Sequence, residues 1–172
     1  MTHLEREIFE QPDVLRRLLA EEWSTVTTIA SAIRRFQPAF VCIAARGTSD
    51  NAARFAQYTM GVYNRLPVAL AAPSIHTLYE TAPDMSRALV MGISQSGQSS
   101  DVRRVVTDAR AQGALTISIT NDEASPLAQE AEYHIPVQAG AEISVAATKT
   151  YTAELMAVAM LVAALADSDA LL

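Results

Sequence analysis

Two short stretches concentrate the groups able to hold a small polar ligand. "RGTSD" (46–50) and "SQSGQSSD" (94–101) each follow an apolar run and lead into a helical pattern. Each offers a glycine for a tight turn, hydroxyls that can donate to an anion, and a following helix whose free N–H groups favour negative charge. That is the chemistry of a phosphate cradle. No Lys or Arg stands within the serine stretch, and none is required, because hydroxyls, amides and a helix N-terminus hold a phosphate without a paired cation. The competing interpretation is that Ser and Asp before a helix are ordinary N-caps; two such loops on one sheet edge favour a site. A third stretch, "AGAEISVAATKTYTAEL" (139–155), holds Lys149, the only lysine beside twelve arginines. A cation in a helix's first turn opposes the dipole, so Lys149 is expected to pair with Glu142, to face an anionic ligand, or to be a surface residue near an acidic neighbour. Glu142 in turn fits a base, a hydroxyl acceptor or a structural cap. His76, in "APSIHTLYE", follows the second strand and is a weaker candidate for the cleft.

Other chemistries lack their motifs. There is no G-x-x-x-x-G-K-[ST], no G-x-G-x-x-G after the first strand and no G-x-S-x-G elbow, so P-loop, dinucleotide and hydrolase-elbow readings are unsupported. The histidines at 3, 76 and 134 are dispersed and Cys42 is the single cysteine, so neither a metal site nor a cofactor is expected. A net charge of −6 argues against nucleic-acid binding, which needs clustered cations. The polar start "MTHLEREIFEQPD" lacks a secretory h-region, and the longest apolar run, 155–166, is shorter than a bilayer span, so a cytoplasmic protein away from membranes is expected.

The elements that must position these loops follow from alternating patterns. After a polar lead, a helix is predicted from Pro12 to about Phe36, with Leu15, Leu18, Leu19, Val26, Ile29 and Ile33 on its apolar stripe. Strands are predicted at 39–45, 67–72, 88–94, 114–120 and 132–137, and Cys42 should pack as a small hydrophobe. The clearest intervening helix is 99–112, with Val102, Val105, Val106 and Ala109 inward and Asp101, Arg104 and Asp108 outward. Apolar strands joined by helices predict an α/β fold, a three-layer α/β/α sandwich with a five-stranded parallel sheet, in one domain over 1–172: lead and helix 1–36, doubly wound core 37–168. Ligands in such sheets sit beyond the carboxyl ends of the strands, where strand order reverses, which gives the loops after the first and third strands their importance.

Four blocks carry a resemblance: "EREIFEQP" (5–12), "ARGTSDNAARF" (45–55), "GISQSGQSSD" (92–101) and "GAEISVAATKTYTAEL" (140–155). In order and spacing the chain resembles a sugar isomerase (SIS) domain, of flavodoxin-like fold, specifically the first of two in the isomerase half of glucosamine-6-phosphate synthase and related aminosugar-phosphate deaminases. The resemblance implies that Ser94, Gln95, Ser96 and Ser99 hold the phosphate of a hexose 6-phosphate or glucosamine 6-phosphate, that Gly47, Thr48 and Ser49 reach phosphate and sugar, and that Val145 contacts the sugar through its backbone. Arg46 stands where the synthase usually has Cys, Gln98-Ser99 replace Glu-Thr, and "APSI" replaces "ASEF". The chain opens in the family's interdomain block, so no glutaminase reaction is expected. The family's catalytic glutamate, lysine and histidine lie on a second SIS domain and a tail, so the general base is expected elsewhere. The resemblance thus implies the binding half of an aldose-ketose isomerase or deaminase, incomplete as one domain. The alternative is a non-catalytic phosphosugar-sensing module. Apolar surface left by one SIS domain implies a homodimer or a second SIS domain as partner.

Overall fold

The computed structural model describes residues 1–166, so the last two positions of the expected core, 167 and 168, lie outside the described residues. Five strands form one parallel sheet: β1 (Phe40–Ala45), β2 (Val68–Leu70), β3 (Ala88–Ile93), β4 (Leu115–Thr120) and β5 (Tyr133–Pro136), in the order β2-β1-β3-β4-β5. Each expected strand is present, shortened at one or both ends. Six helices accompany them: α1 (His3–Phe36), α2 (Thr48–Thr59), α3 (Pro73–Thr77), α4 (Ser100–Ala111), α5 (Pro126–Glu130) and α6 (Lys149–Ala166). A π-helical turn, Met60–Asn64, continues α2. Strand order reverses between β1 and β3, so the loops after these two strands flank the crevice where such sheets bind ligands.

The alternation of side chains along each strand divides the core. Val41, Ile43, Leu89, Met91, Ile93, Ile117 and Ile119 pack with Leu18, Ile29, Ala53, Ala157 and Leu161 from α1, α2 and α6. Cys42, Ala44, Val90, Val102, Val105, Val106, Ala109 and Leu127 form the second layer, under α4 and α5. Cys42 packs as expected, and burial pushes its thiol up to about 11. Gly92 lets α4 and α5 approach β3: a Cβ there would meet Val106 Cγ2 at 2.9 Å and Leu127 Cδ1 at 3.0 Å.

Two expectations about helices need correction. The first helix begins at His3, not Pro12, because Thr2 and Glu5 form a reciprocal capping box and Glu7 and Glu10 are held by the 143–149 segment, which fixes the turns before the proline. Pro12 therefore sits inside the helix. Leu19 is 39% exposed and lies outside the buried stripe that Leu18, Val26, Ile29 and Ile33 form. The 155–166 run belongs to an 18-residue helix, α6, long and apolar enough to cross a membrane by length and composition. Here 61% of it is buried inside the fold, against α1 and α2.

Candidate functional site

Both loops end on one rim of the sheet and open on one cleft of about 270 Å³. Its walls include Thr48 and Ser49 at the start of α2, Ser94, Gln95, Ser96 and Ser99 between β3 and α4, and Glu142, Ser144 and Val145 from the segment that crosses from β5 to α6. The serine turn is built by its own hydrogen bonds. Ser94 N–H donates to Ile119 O (3.1 Å), extending the sheet, and Gly97 N–H is directed at both the carbonyl and the hydroxyl oxygen of Ser94 (3.2 Å each). Gln98 N–H donates to Ser96 Oγ (3.3 Å), and the hydroxyls of Ser94 and Ser99 stand 3.4 Å apart.

The capping interpretation can be tested on these residues. Ser99 occupies the N-cap position of α4, yet its side chain makes no cap hydrogen bond. Gly47 occupies the N-cap of α2 with φ 59° and has no side chain to cap with. Ser99 lines the cleft with Ser94 instead, and neither N-cap residue blocks its helix start, although in α4 the Val102 N–H is taken by Asp101 Oδ1 (2.9 Å). Arg46 bridges the loops through Asp101 (2.6 Å). The guanidinium that stands where the synthase usually has Cys is therefore already paired to a carboxylate of α4.

Not every sequence candidate arrives in the cleft. Gly47 shapes the turn and is absent from the lining, where Thr48 and Ser49 stand. Lys149 pairs neither with Glu142 nor with the cleft: its Nζ donates to Glu10 Oε2 (2.6 Å), and its side chain is 5% exposed. The reason is that α1 extends nine residues further back than the sequence pattern predicts and brings Glu10 to the α6 N-terminus. Glu142 lines the cleft, but its carboxylate is occupied as a cap. It accepts from the Thr148 and Thr150 N–H groups (2.9 and 3.2 Å) and from both threonine hydroxyls. His76 is a core residue, 2% exposed, with Nδ1 2.9 Å from Asp108 Oδ2, and it lies outside this cleft. Val145 is fully exposed on the rim.

The residue the motifs missed is Glu154. It lines the cleft, is 1% exposed, and accepts from Ser49 Oγ at 2.8 Å. Burial raises its pKa to about 7, against the Ser49 hydrogen bond, which lowers it, and with the charge of Glu142, which raises it further. A signal was present in the sequence: Glu154 is the one charged residue between 150 and 166, a carboxylate alone in an apolar helix. Tyr151, Thr150 and Ala147 complete the lining.

A parallel sheet in this order, with hydroxyl-rich turns meeting at its switch point, defines a doubly wound small-ligand domain. Within that class the chain belongs to the SIS domain family, whose model matches residues 39–164. It is 34% identical over 152 residues to glutamine–fructose-6-phosphate aminotransferase (isomerizing) of Aquifex aeolicus, covering 88% of this chain and 25% of the relative. A crystal structure from Silicibacter pomeroyi, assigned as a phosphosugar isomerase, superposes with a TM-score of 0.96 at 39% identity, over 99% of this chain and 52% of that one. The C-terminal domain of glucosamine-fructose-6-phosphate aminotransferase from Francisella tularensis gives a TM-score of 0.82 at 28% identity, over 99% and 49%. The chain thus spans about a quarter of the length of this curated relative and about half of each solved chain.

Proposed function

We propose that this chain binds a hexose 6-phosphate or glucosamine 6-phosphate in the cleft between Thr48 and Ser99, as the phosphosugar-gripping part of an aldose-ketose isomerase or aminosugar-phosphate deaminase. The observation that carries this is the pair of helix N-termini, closed by no N-cap side chain, converging on the Ser94, Ser96 and Ser99 hydroxyls. A dianionic phosphate satisfies these donors together, and the sugar then extends toward Ser49, Ser144 and Val145. The names of the relatives, which concern fructose 6-phosphate and phosphosugars, support the same ligand class. Isomerisation also needs a base that moves a proton between C1 and C2. The carboxylate of Glu142 is committed to threonine donors and that of Glu154 to the Ser49 hydroxyl, so in this reading the chain supplies grip and orientation, and a second SIS domain supplies the proton transfer.

Titration with glucosamine 6-phosphate, with ammonia release assayed in parallel, tests this reading. Saturable binding supports it, and absence of binding at millimolar ligand overturns it. Turnover by this chain alone would place the proton-transferring group here; binding without turnover fits both the gripping half and a phosphosugar-sensing module. Ser96→Ala should weaken binding by about 1–2 kcal/mol, the scale of one hydrogen bond to a charged group. Unchanged affinity by calorimetry would remove Ser96 from the grip. Tyr58, Val62 and Tyr63 are 75%, 67% and 51% exposed at the end of α2, an apolar surface of the kind a partner covers. A two-fold dimer, or a second SIS domain, is expected there, and light scattering at tens of micromolar should report a mass above that of the monomer.

A further inference from the structure

The block "EREIFEQP" (5–12) lies far from the cleft in sequence and has no part in the ligand chemistry described so far. The fold gives it one. The segment between β5 and α6 forms a strap that supplies Glu142, Ser144, Val145 and Ala147 to the cleft wall. Both of its ends are tied down. At the β5 side Asn121 accepts from Ala139 N–H (2.9 Å) and donates to Gly140 O (2.7 Å), while Arg17 donates to Gln138 O and Gln138 donates to Glu22. At the α6 side Glu142 caps the first turn and Lys149 is paired with Glu10. The middle, 143–144, is held to the rest of the fold by a single side chain. Glu7, 3% exposed, accepts from Ile143 N–H (2.6 Å), from Ser144 N–H (3.3 Å) and from the Ser144 hydroxyl.

A buried carboxylate is costly unless its acceptor sites are filled. Here the donors that fill it are the Ser144 hydroxyl and two backbone amides, all from the strap, so the charge is best held while the strap sits in this place. Ile143, whose amide the clamp holds, and Val145 beside it are exposed apolar residues at 65% and 107%, and burial does nothing to hold their side chains.

We propose that Glu7 is a positioning residue: through the Ile143 and Ser144 amides it sets the strap against the cleft, and so determines how well the sugar, as distinct from the phosphate, is bound. This rests on the phosphosugar reading of the cleft. The serine turn and the start of α4 make no hydrogen bond with Glu7, whose carboxylate bonds only to 143–144 among the described residues, and should grip a bare phosphate without it. Glu7 therefore separates the two halves of the ligand.

The test compares wild type, Glu7→Gln and Glu7→Asp, each titrated with glucosamine 6-phosphate and with inorganic phosphate, while exchange of the Ile143 and Ser144 amides is followed by NMR. Gln presents an N–H₂ to donors that need acceptors, and Asp keeps the charge but is one methylene short. The expected result is a 5- to 20-fold loss for the sugar phosphate in both variants, less than twofold change for inorganic phosphate, and at least tenfold faster exchange of the two amides. Equal loss for both ligands, with a lowered melting temperature, would mean that Glu7 only supports the fold, and overturns the proposal. Sugar-phosphate affinity within twofold of wild type overturns it as well. If Gln fails to fold, Asp carries the comparison. If wild type binds neither ligand, the phosphosugar reading fails; the strap-setting role is then decided by the exchange rates, and unchanged rates overturn it.

Discussion

Gly97→Ala should lower stability by roughly 2–5 kcal/mol and reduce phosphosugar affinity at least tenfold. Two costs add. Gly97 has φ +63°, where an L residue is strained by about 1–2 kcal/mol. Its added Cβ would also overlap Ser125 Oγ and lie 2.5 Å from Ser125 Cβ. Ser125 cannot yield: it is fully buried, its hydroxyl caps α5 by accepting from Ala128 N–H (3.3 Å), and it stands 3.4 Å from Thr120 Oγ1. Overpacking of this kind costs about 1–3 kcal/mol. At about 2–4 °C per kcal/mol for a chain of this size, the melting temperature should fall by roughly 4–20 °C. The same displacement shifts Ser96 and Ser99 away from a shared ligand, because Gly97 N–H and O tie the turn to Ser94 and to Leu127. Gly113→Ala is the control. Gly113 has φ +83° but open space around its Cβ position, so it should cost only the backbone strain and leave ligand affinity unchanged. If the two alanines prove equally damaging in calorimetric melting, the Ser125 contact is not the cause.

Glu154→Gln should stabilise the protein at pH 8 by up to about 4 kcal/mol and leave it unchanged near pH 4.5. The sign follows from proton linkage. In the folded state Glu154 titrates near 7, raised by burial from an ordinary 4.5. Between those values the folded form holds a proton that the unfolded form has released, so stability falls as pH rises from about 4.5 through 7, then levels. A difference of two to three pH units at about 1.4 kcal/mol each gives the upper figure. Glutamine removes the ionisation and with it the slope. Urea unfolding of both proteins at pH 5, 6, 7 and 8 measures this, and a difference that stays constant with pH would show that burial does not control this carboxyl. The same group predicts a ligand effect in the proposed site. A phosphate is already largely dianionic above its second pKa of about 6. Ionisation of Glu154 beside Ser49 should therefore weaken phosphosugar binding above pH 7 in wild type and not in Glu154→Gln.

The serine turn, the glycine turn and the alternation of strands and helices were legible because they rest on local chemistry. Ser94, Ser96 and Ser99 follow an apolar strand and precede an amphipathic helix, and that order alone put them at a carboxyl end of the sheet. The four blocks at 5–12, 45–55, 92–101 and 140–155 carried the resemblance to the family, by similarity of sequence rather than by local chemistry. Lys149 shows where local reasoning stops. Its position in the first turn of α6 is local, but neither partner expected for it there, Glu142 or an anionic ligand, is the one it has. The anion is Glu10, 139 residues away in sequence, and no spacing rule could select it over Glu142. Glu154 was passed over because a single carboxylate in an apolar helix gives no hint of which strand-end loop it will meet.

By itself, then, the sequence determined the five strands in a doubly wound order, the helix stripes and the two hydroxyl-rich turns, all of which follow from periodicity and turn chemistry over a few residues. Only the tertiary structure decided that Ser49 and Glu154 share a hydrogen bond, that the Ser99 side chain does not cap its helix, and that Glu7 reaches the strap across 136 residues. The physical reason is that a carboxylate or hydroxyl accepts any donor within about 3 Å, and which donor that is depends on how the layers pack rather than on its neighbours in the chain.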